Sequence, residues 1–148
     1  ATKKYLEMYA KQSKVQANFC GEITGMDAAM GKLRKELRRL EIAENTLLWY
    51  CSDNGALKQG STGGLSGRKG SLLEGGIRVP AIIEWPAKIK KARRTSVPCN
   101  TSDILPTLLE LAGVTQDKPP PLDGISIVPL LNDKMKSREE ADGVLGLP

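Results

Sequence analysis

Leu47-Leu48-Trp49-Tyr50-Cys51-Ser52-Asp53-Asn54-Gly55 is a short apolar run that ends on an acid, an amide and a glycine. A continuous apolar run reads as a strand buried on both faces, as in the parallel sheets of α/β proteins. The strand is expected over Thr46–Cys51. Open α/β sheets bind ligands outside the carboxyl ends of their strands, which is where Asp53 and Asn54 fall. Hard cations such as Ca²⁺ or Mg²⁺ take oxygen from carboxylates and amide carbonyls, so this pair is a candidate metal site. Taken alone, Asp-Asn-Gly is more often a plain turn.

Downstream, Gly55 to Gly76 holds eight glycines among 22 residues. A loop that long between two strands is usually functional. It leads through Lys69-Gly70-Ser71-Leu72-Leu73-Glu74-Gly75-Gly76-Ile77-Arg78-Val79-Pro80 into a second apolar run. Lys69 has glycines near it on both sides and can bring an ammonium close to an anion without crowding it. Glu74 and Arg78 read as structural, holding the loop through hydrogen bonds or an ion pair. Ile77–Trp85 reads as a second buried strand with Pro80 at its start or at a sheet edge. Ala87–Arg94, with five basic residues, reads as a solvated connection.

Upstream, Ile23, Met26, Met30, Leu33, Leu37 and Leu40 step by 3, 4, 3, 4 and 3. That spacing predicts an amphipathic helix over Glu22–Leu40 whose stripe packs on a sheet. Its basic face, Lys32, Arg34, Lys35, Arg38 and Arg39, is better read as solvated than as a phosphate site. Residues 1–18 are a polar lead-in or a short helix. The short link Ala43-Glu44-Asn45 fits α/β architecture with parallel strands. Further on, a second helix is expected from Asp103 to about Ala112, with Ser102 as N-cap and Gly113 as its stop. Its buried face would be Leu105, Leu108, Leu109 and Ala112. Lys118-Pro119-Pro120-Pro121 reads as a stiff linker, Asp123-Gly124 as a turn, and Ile125–Leu131 as a short apolar segment. No internal repeat is visible.

The totals narrow the function classes. A chain of 148 residues suits one domain, here read as a core over 19–131 between the lead-in and a polar tail at 132–148. Net charge is +5 from 22 basic and 17 acidic residues, which only weakly suggests anionic partners. Aromatic residues make up 4%, too few for a base-stacking platform, and no nucleic-acid motif occurs, so no nucleic-acid partner is expected. The three cysteines form no CxxC pair and there is no histidine, which argues against zinc and for free thiols. No leader and no apolar stretch of about 18 residues is seen, so neither a signal peptide nor a membrane span is expected.

The motif order is recognisable. Met26-Asp27, Asn45-Thr46 before a strand, Ser52-Asp53-Asn54-Gly55, Gly67-x-Lys69-Gly70, Glu74-Gly75-Gly76-x-Arg78-Val79-Pro80 and Asp103-Ile104-Leu105-Pro106-Thr107-Leu108-Leu109 through Ala112-Gly113 together resemble the sulfatases. Asp123-Gly124-x-Ser126 with Leu130-Leu131 extends the likeness, which covers roughly residues 18–132. The resemblance implies a partial alkaline-phosphatase-like α/β domain, with a mostly parallel sheet flanked by helices. It implies Asp53 and Asn54 as ligands of an active-site Ca²⁺, with Mg²⁺ as the alternative. It also implies Lys69 as a catalytic residue that contacts the sulfate group of a sulfate ester substrate. The family's nucleophile is a cysteine or serine oxidised to formylglycine, and a periplasmic, secreted or lysosomal location would fit.

The nucleophile signature is missing. Cys20 leads Gly-Glu-Ile, Cys51 leads Ser-Asp-Asn and Cys99 leads Asn-Thr-Ser, none of which fits. The family's other aspartate ligands and catalytic histidines are missing too, and would lie before Ala1. The chain therefore reads as the carboxyl-side portion of a catalytic domain, inactive without the missing amino-terminal half. Two other readings share the scaffold: a noncatalytic anion- or partner-binding module, and a related phosphoryl-transfer hydrolase. The phosphoryl-transfer enzymes usually carry histidine near the metal, which this chain lacks.

Overall fold

The computed structural model describes residues 1–114 and 121–138. The chain divides into two compact units, Ala1–Pro86 and Ala87–Pro148, and the class is α/β. Unit one contains helices α1 (Lys3–Glu7) and α2 (Lys14–Arg39), strand β1 (Leu48–Cys51), the single turn α3 (Glu74–Ile77) and strand β2 (Ala81–Glu84). Unit two contains α4 (Ile104–Leu111) and the short α5 (Val128–Leu131).

Helix α2 starts at Lys14, well before the expected Glu22, because Ser13 caps it by accepting the Gln16 N–H at 3.2 Å. The stretch read as a lead-in thus holds α1 and the first turn of α2. Its apolar stripe is only partly covered: Met30 and Leu37 are half-buried, whereas Ile23, Met26, Leu33 and Leu40 stay exposed. Long side chains tie the helix to the strands. Tyr50 Oη donates to Met26 Sδ at 3.3 Å, and the Arg34 guanidinium forks onto Glu84 at 2.6 and 2.9 Å.

The strand pair corrects the expected parallel arrangement. β1 and β2 run antiparallel, with Leu48 opposite Glu84 and Cys51 opposite Ala81. The loop between them folds onto its own backbone and returns the chain beside β1 in the opposite direction. Mixed sheets commonly contain such a strand. β1 is half-buried along its length rather than fully buried. β2 is shorter than Ile77–Trp85 because Glu74–Ile77 closes a helical turn and Pro80, lacking an N–H, stands just ahead of the ladder. Ile77 and Ile82 are exposed.

In unit two the core is Ile127, Leu130 and Leu131, packed with fully buried Asp103 and Thr107. Asn100, not Ser102, caps the helical entry. Its side chain accepts the Ser102 N–H while Asp103 accepts the Asn100 N–H, a reciprocal capping box. Gly113, at φ 65°, ends α4 as expected. Leu105 and Leu108 are exposed, contrary to the buried face expected for them. The face that unit two buries carries Asp103 and Thr107 instead, one helical turn apart. Arg93 was expected to be solvated, yet its Nη2 donates to the Leu130 and Leu131 carbonyls at 2.7 and 2.5 Å, the last turn of α5. The linker at Lys118-Pro119-Pro120 and residues 139–148 of the tail lie outside the described residues. Among the described residues no helix is long and apolar enough to cross a membrane.

Candidate functional site

Three expected site residues lie in unit one, on the turn after β1 and the glycine loop that follows. Ser52 Oγ donates to the Asn54 carbonyl at 2.8 Å, which closes the turn and leaves Asp53 exposed at its tip. Asn54 is half-buried. Beyond it the chain is locked by backbone contacts: the Gly55 N–H donates to Gly76 O at 2.7 Å, and the Gly75 N–H to Ser66 O at 2.6 Å.

The glycines are required by how closely these strands of loop approach. A Cβ on Gly55 would lie 1.9 Å from the Gly75 oxygen, and one on Gly76 would lie 2.0 Å from the Ser71 oxygen. Backbone cannot yield as a side-chain tip can, so any side chain at either position would pry the loop open. Arg68 adds a clamp, with Nη1 donating to the Leu57 and Gly60 carbonyls at 3.0 and 2.9 Å.

This folding brings Lys69 to the turn. Its N–H donates to Ala56 O at 3.1 Å, two residues past Asn54, while its side chain is exposed. Among the described residues, the side chains of Asp53, Asn54 and Lys69 make no hydrogen bond or ion pair with other groups. Their charge and donor capacity are uncommitted to the fold. Glu74 and Arg78 do pair, at 3.0 Å, but on the exposed surface of α3. An exposed pair of that kind adds little to stability.

Asp53 and Asn54 offer a carboxylate and an amide oxygen, the donor types a hard cation takes, so they fit part of a calcium shell. Among the described residues no group of three or more His, Cys, Asp or Glu is arranged to hold a metal. A full shell of about six to eight oxygens needs donors beyond this pair. Cys20, Cys51 and Cys99 are all free thiols, with Cys51 half-buried in β1.

The sequence reading missed the most buried charge among the described residues. Asp103 accepts both nitrogens of the Arg138 fork at 2.6 and 2.9 Å and the N–H groups of Asn100 and Ile125 at 2.8 and 2.9 Å. Burial by itself pushes its carboxyl up, but these hydrogen bonds outweigh that and hold it below the usual carboxylate range. Thr107 completes the cluster, donating to Asp103 O and accepting the Ile127 N–H at 3.0 Å. This carboxylate orders backbone and has no capacity left for a ligand. The spacing of Asn100 and Asp103 is a capping-box signature that could have been read from sequence.

A family model described as Sulfatase matches residues 1–114. Human steryl-sulfatase is 35% identical over 119 residues, an alignment that takes in 74% of this chain and 20% of that protein. Dog N-acetylgalactosamine-6-sulfatase is 34% identical over 112 residues, or 72% of this chain and 22% of that one. The chain therefore spans about a fifth of the length of these curated relatives. The crystal structure of Ps i-CgsB in complex with k-i-k-neocarrahexaose superimposes with a TM-score of 0.83 at 31% identity, over 90% of this chain and 30% of that one.

Proposed function

Since the chain belongs to the sulfatase family, we propose that it forms one side of a sulfuric ester hydrolase site within a single catalytic domain. Asp53 and Asn54 are its calcium ligands (magnesium being the alternative), and Lys69 is the catalytic cation that binds the sulfate group. The observation behind this reading is the 3.1 Å bond from the Lys69 N–H to Ala56 O, which seats the lysine's backbone beside the Asp53-Asn54 turn.

The chemistry asks for this combination. Cleaving a sulfate ester moves negative charge onto the nonbridging and leaving-group oxygens, so cations fixed in advance lower the barrier. A divalent ion on Asp53 and Asn54 would supply Lewis acidity toward those oxygens. Lys69 holds its backbone in place through the loop and offers its ammonium to the anion. Asp53 sits at the tip of a turn already closed by Ser52, so little reorganisation is needed on binding. The nucleophile, a formylglycine by family resemblance, and the remaining metal ligands belong to parts of the catalytic domain outside this chain. The substrate is a sulfate ester, and a periplasmic, secreted or lysosomal setting suits the enzyme.

In the full-length protein, Lys69→Ala and Asp53→Ala should each lower kcat/KM toward an aryl sulfate by about 10²–10³-fold, the usual effect of deleting a charge-stabilising group. Residues 1–148 expressed alone should give no turnover above background. A near-normal rate in either variant, or robust turnover by the isolated chain, would refute the assignment.

A further inference from the structure

Unit two contains a cleft that the sulfatase reading leaves unused. It has a volume of about 280 Å³ and lies between the segment carrying Arg93, Arg94 and Ser96 and the turn that follows α5, with Asp133 and Lys136. Three cations face one carboxylate around it. We propose that this cleft is a second binding site for a tetrahedral oxyanion, sulfate or phosphate, with Arg94 as its principal ligand and Arg93 as a fixed donor beside it.

The two arginines differ in a way that makes a site. Arg93 spends both hydrogens of Nη2 on the Leu130 and Leu131 carbonyls, so its guanidinium is locked in place. An arginine has five N–H donors, which leaves three on Arg93 for a ligand. A donor fixed in advance loses little entropy on binding. Arg94 and Ser96 are exposed, and neither has a hydrogen bond or ion pair among the described residues. The acid does not cancel this charge: Lys136 Nζ already holds Asp133 at 3.0 Å. That hydrogen bond from Lys136 is the main cause of the depressed Asp133 carboxyl, with the charge of Arg93 a lesser one. Asp133 also sits in the left-handed region, at φ 58°, where the chain turns sharply after α5 to bring Lys136 back to the rim. Forked guanidinium groups suit tetrahedral oxyanions better than chloride, because parallel N–H groups meet two oxygens at once.

The test is calorimetric titration of the full-length Lys69→Ala variant with sodium sulfate, against sodium chloride at equal ionic strength. Removing Lys69 takes one cation from the proposed catalytic anion site, and dependence on Arg94 assigns the remaining heat to the cleft, so failure here and failure of the catalytic reading are separate results. Sulfate should bind with a saturable heat that chloride lacks. Adding Arg94→Ala or Arg94→Gln should weaken it about tenfold or more, as loss of a charge-assisted hydrogen bond does. Glucose 6-sulfate distinguishes the source of the anion: tighter binding than inorganic sulfate identifies an esterified group, and equal or weaker binding identifies the free ion. Either result supports the site if it depends on Arg94. A sulfate heat matched by chloride, or undiminished in both Arg94 variants, overturns it.

Discussion

Arg34 in unit one and Arg138 in unit two each form a two-pronged bond to a carboxylate, and the lengths agree: 2.6 and 2.9 Å onto Glu84, 2.6 and 2.9 Å onto Asp103. Their surroundings are opposite. The Arg34–Glu84 side chains are 46% and 35% exposed, whereas those of Arg138 and Asp103 are 16% and 0% exposed. Geometry is thus held constant while burial changes. Water competes for the first pair and screens it; it cannot reach the second carboxylate at all. The same contrast separates the charges that build this chain from those proposed to meet a ligand. Asp103 is enclosed and fully bonded, while Asp53 and Lys69 stand exposed on a loop whose own backbone holds it in shape.

The buried fork gives the largest expected effect. Replacing Arg138 with Met leaves Asp103 enclosed without its cation and should destabilise the fold by about 3 kcal/mol or more. Denaturant unfolding of the full-length protein measures it. The pH dependence sharpens the point. The Asp103 carboxyl is held below its unfolded value, so its stabilisation is present above about pH 4 and is lost as pH falls through the folded value. Without Arg138 the carboxyl rises, and the acid limb of the Tm-against-pH curve should move to higher pH. An Arg138→Met protein with wild-type stability and an unmoved acid limb would erase the distinction between the two forks.

Next comes the glycine loop, which has to hold its shape without any buried charge. Gly55→Ala places a methyl 1.9 Å from the Gly75 carbonyl oxygen. Relieving that overlap should cost about 1–3 kcal/mol, the range for forced overpacking. If Lys69 acts as proposed, the displaced strand of loop that leads to it should lower kcat together with Tm in the full-length protein. If activity survives while stability drops, the loop positions nothing and Lys69 owes its place to other contacts.

What could be read from the sequence follows from the range of the interactions involved. The helical stripe from Ile23 to Leu40, the stop at Gly113 and Pro80 just ahead of β2 are all set by neighbours a few residues away. Asp53 and Asn54 were visible as candidates because they follow the apolar run at its carboxyl end, and Lys69 because glycines stand near it on both sides. The antiparallel pairing was not visible, since strand direction depends on how a long loop closes rather than on the strands themselves. Nor was the role of Asp103, whose partners Ile125 and Arg138 lie 22 and 35 residues away. The exposure of Leu105 and Leu108 escaped for a related reason. Periodicity places them on one stripe of α4, but which stripe is covered depends on where residues 125–131 dock, and those dock on Thr107 and Asp103.

The smallest effect belongs to the exposed fork. The hydrogen bond from Arg34 is the main reason the Glu84 carboxyl sits below its ordinary value, and the Arg34 guanidinium is raised in return. A shift of that kind records attraction between two groups that water also solvates well, so it does not translate into fold stability. Arg34→Met keeps much of the aliphatic stem and removes only the fork. Its Tm should therefore match wild type within the error of a calorimetric scan, and raising salt should leave both proteins equally stable. Adding Glu84→Gln to Arg34→Met should change nothing further, because Glu84 is wet enough to stay charged without a partner. A drop in Tm comparable to that of Arg138→Met would show that the lengths of such a fork matter more than its burial.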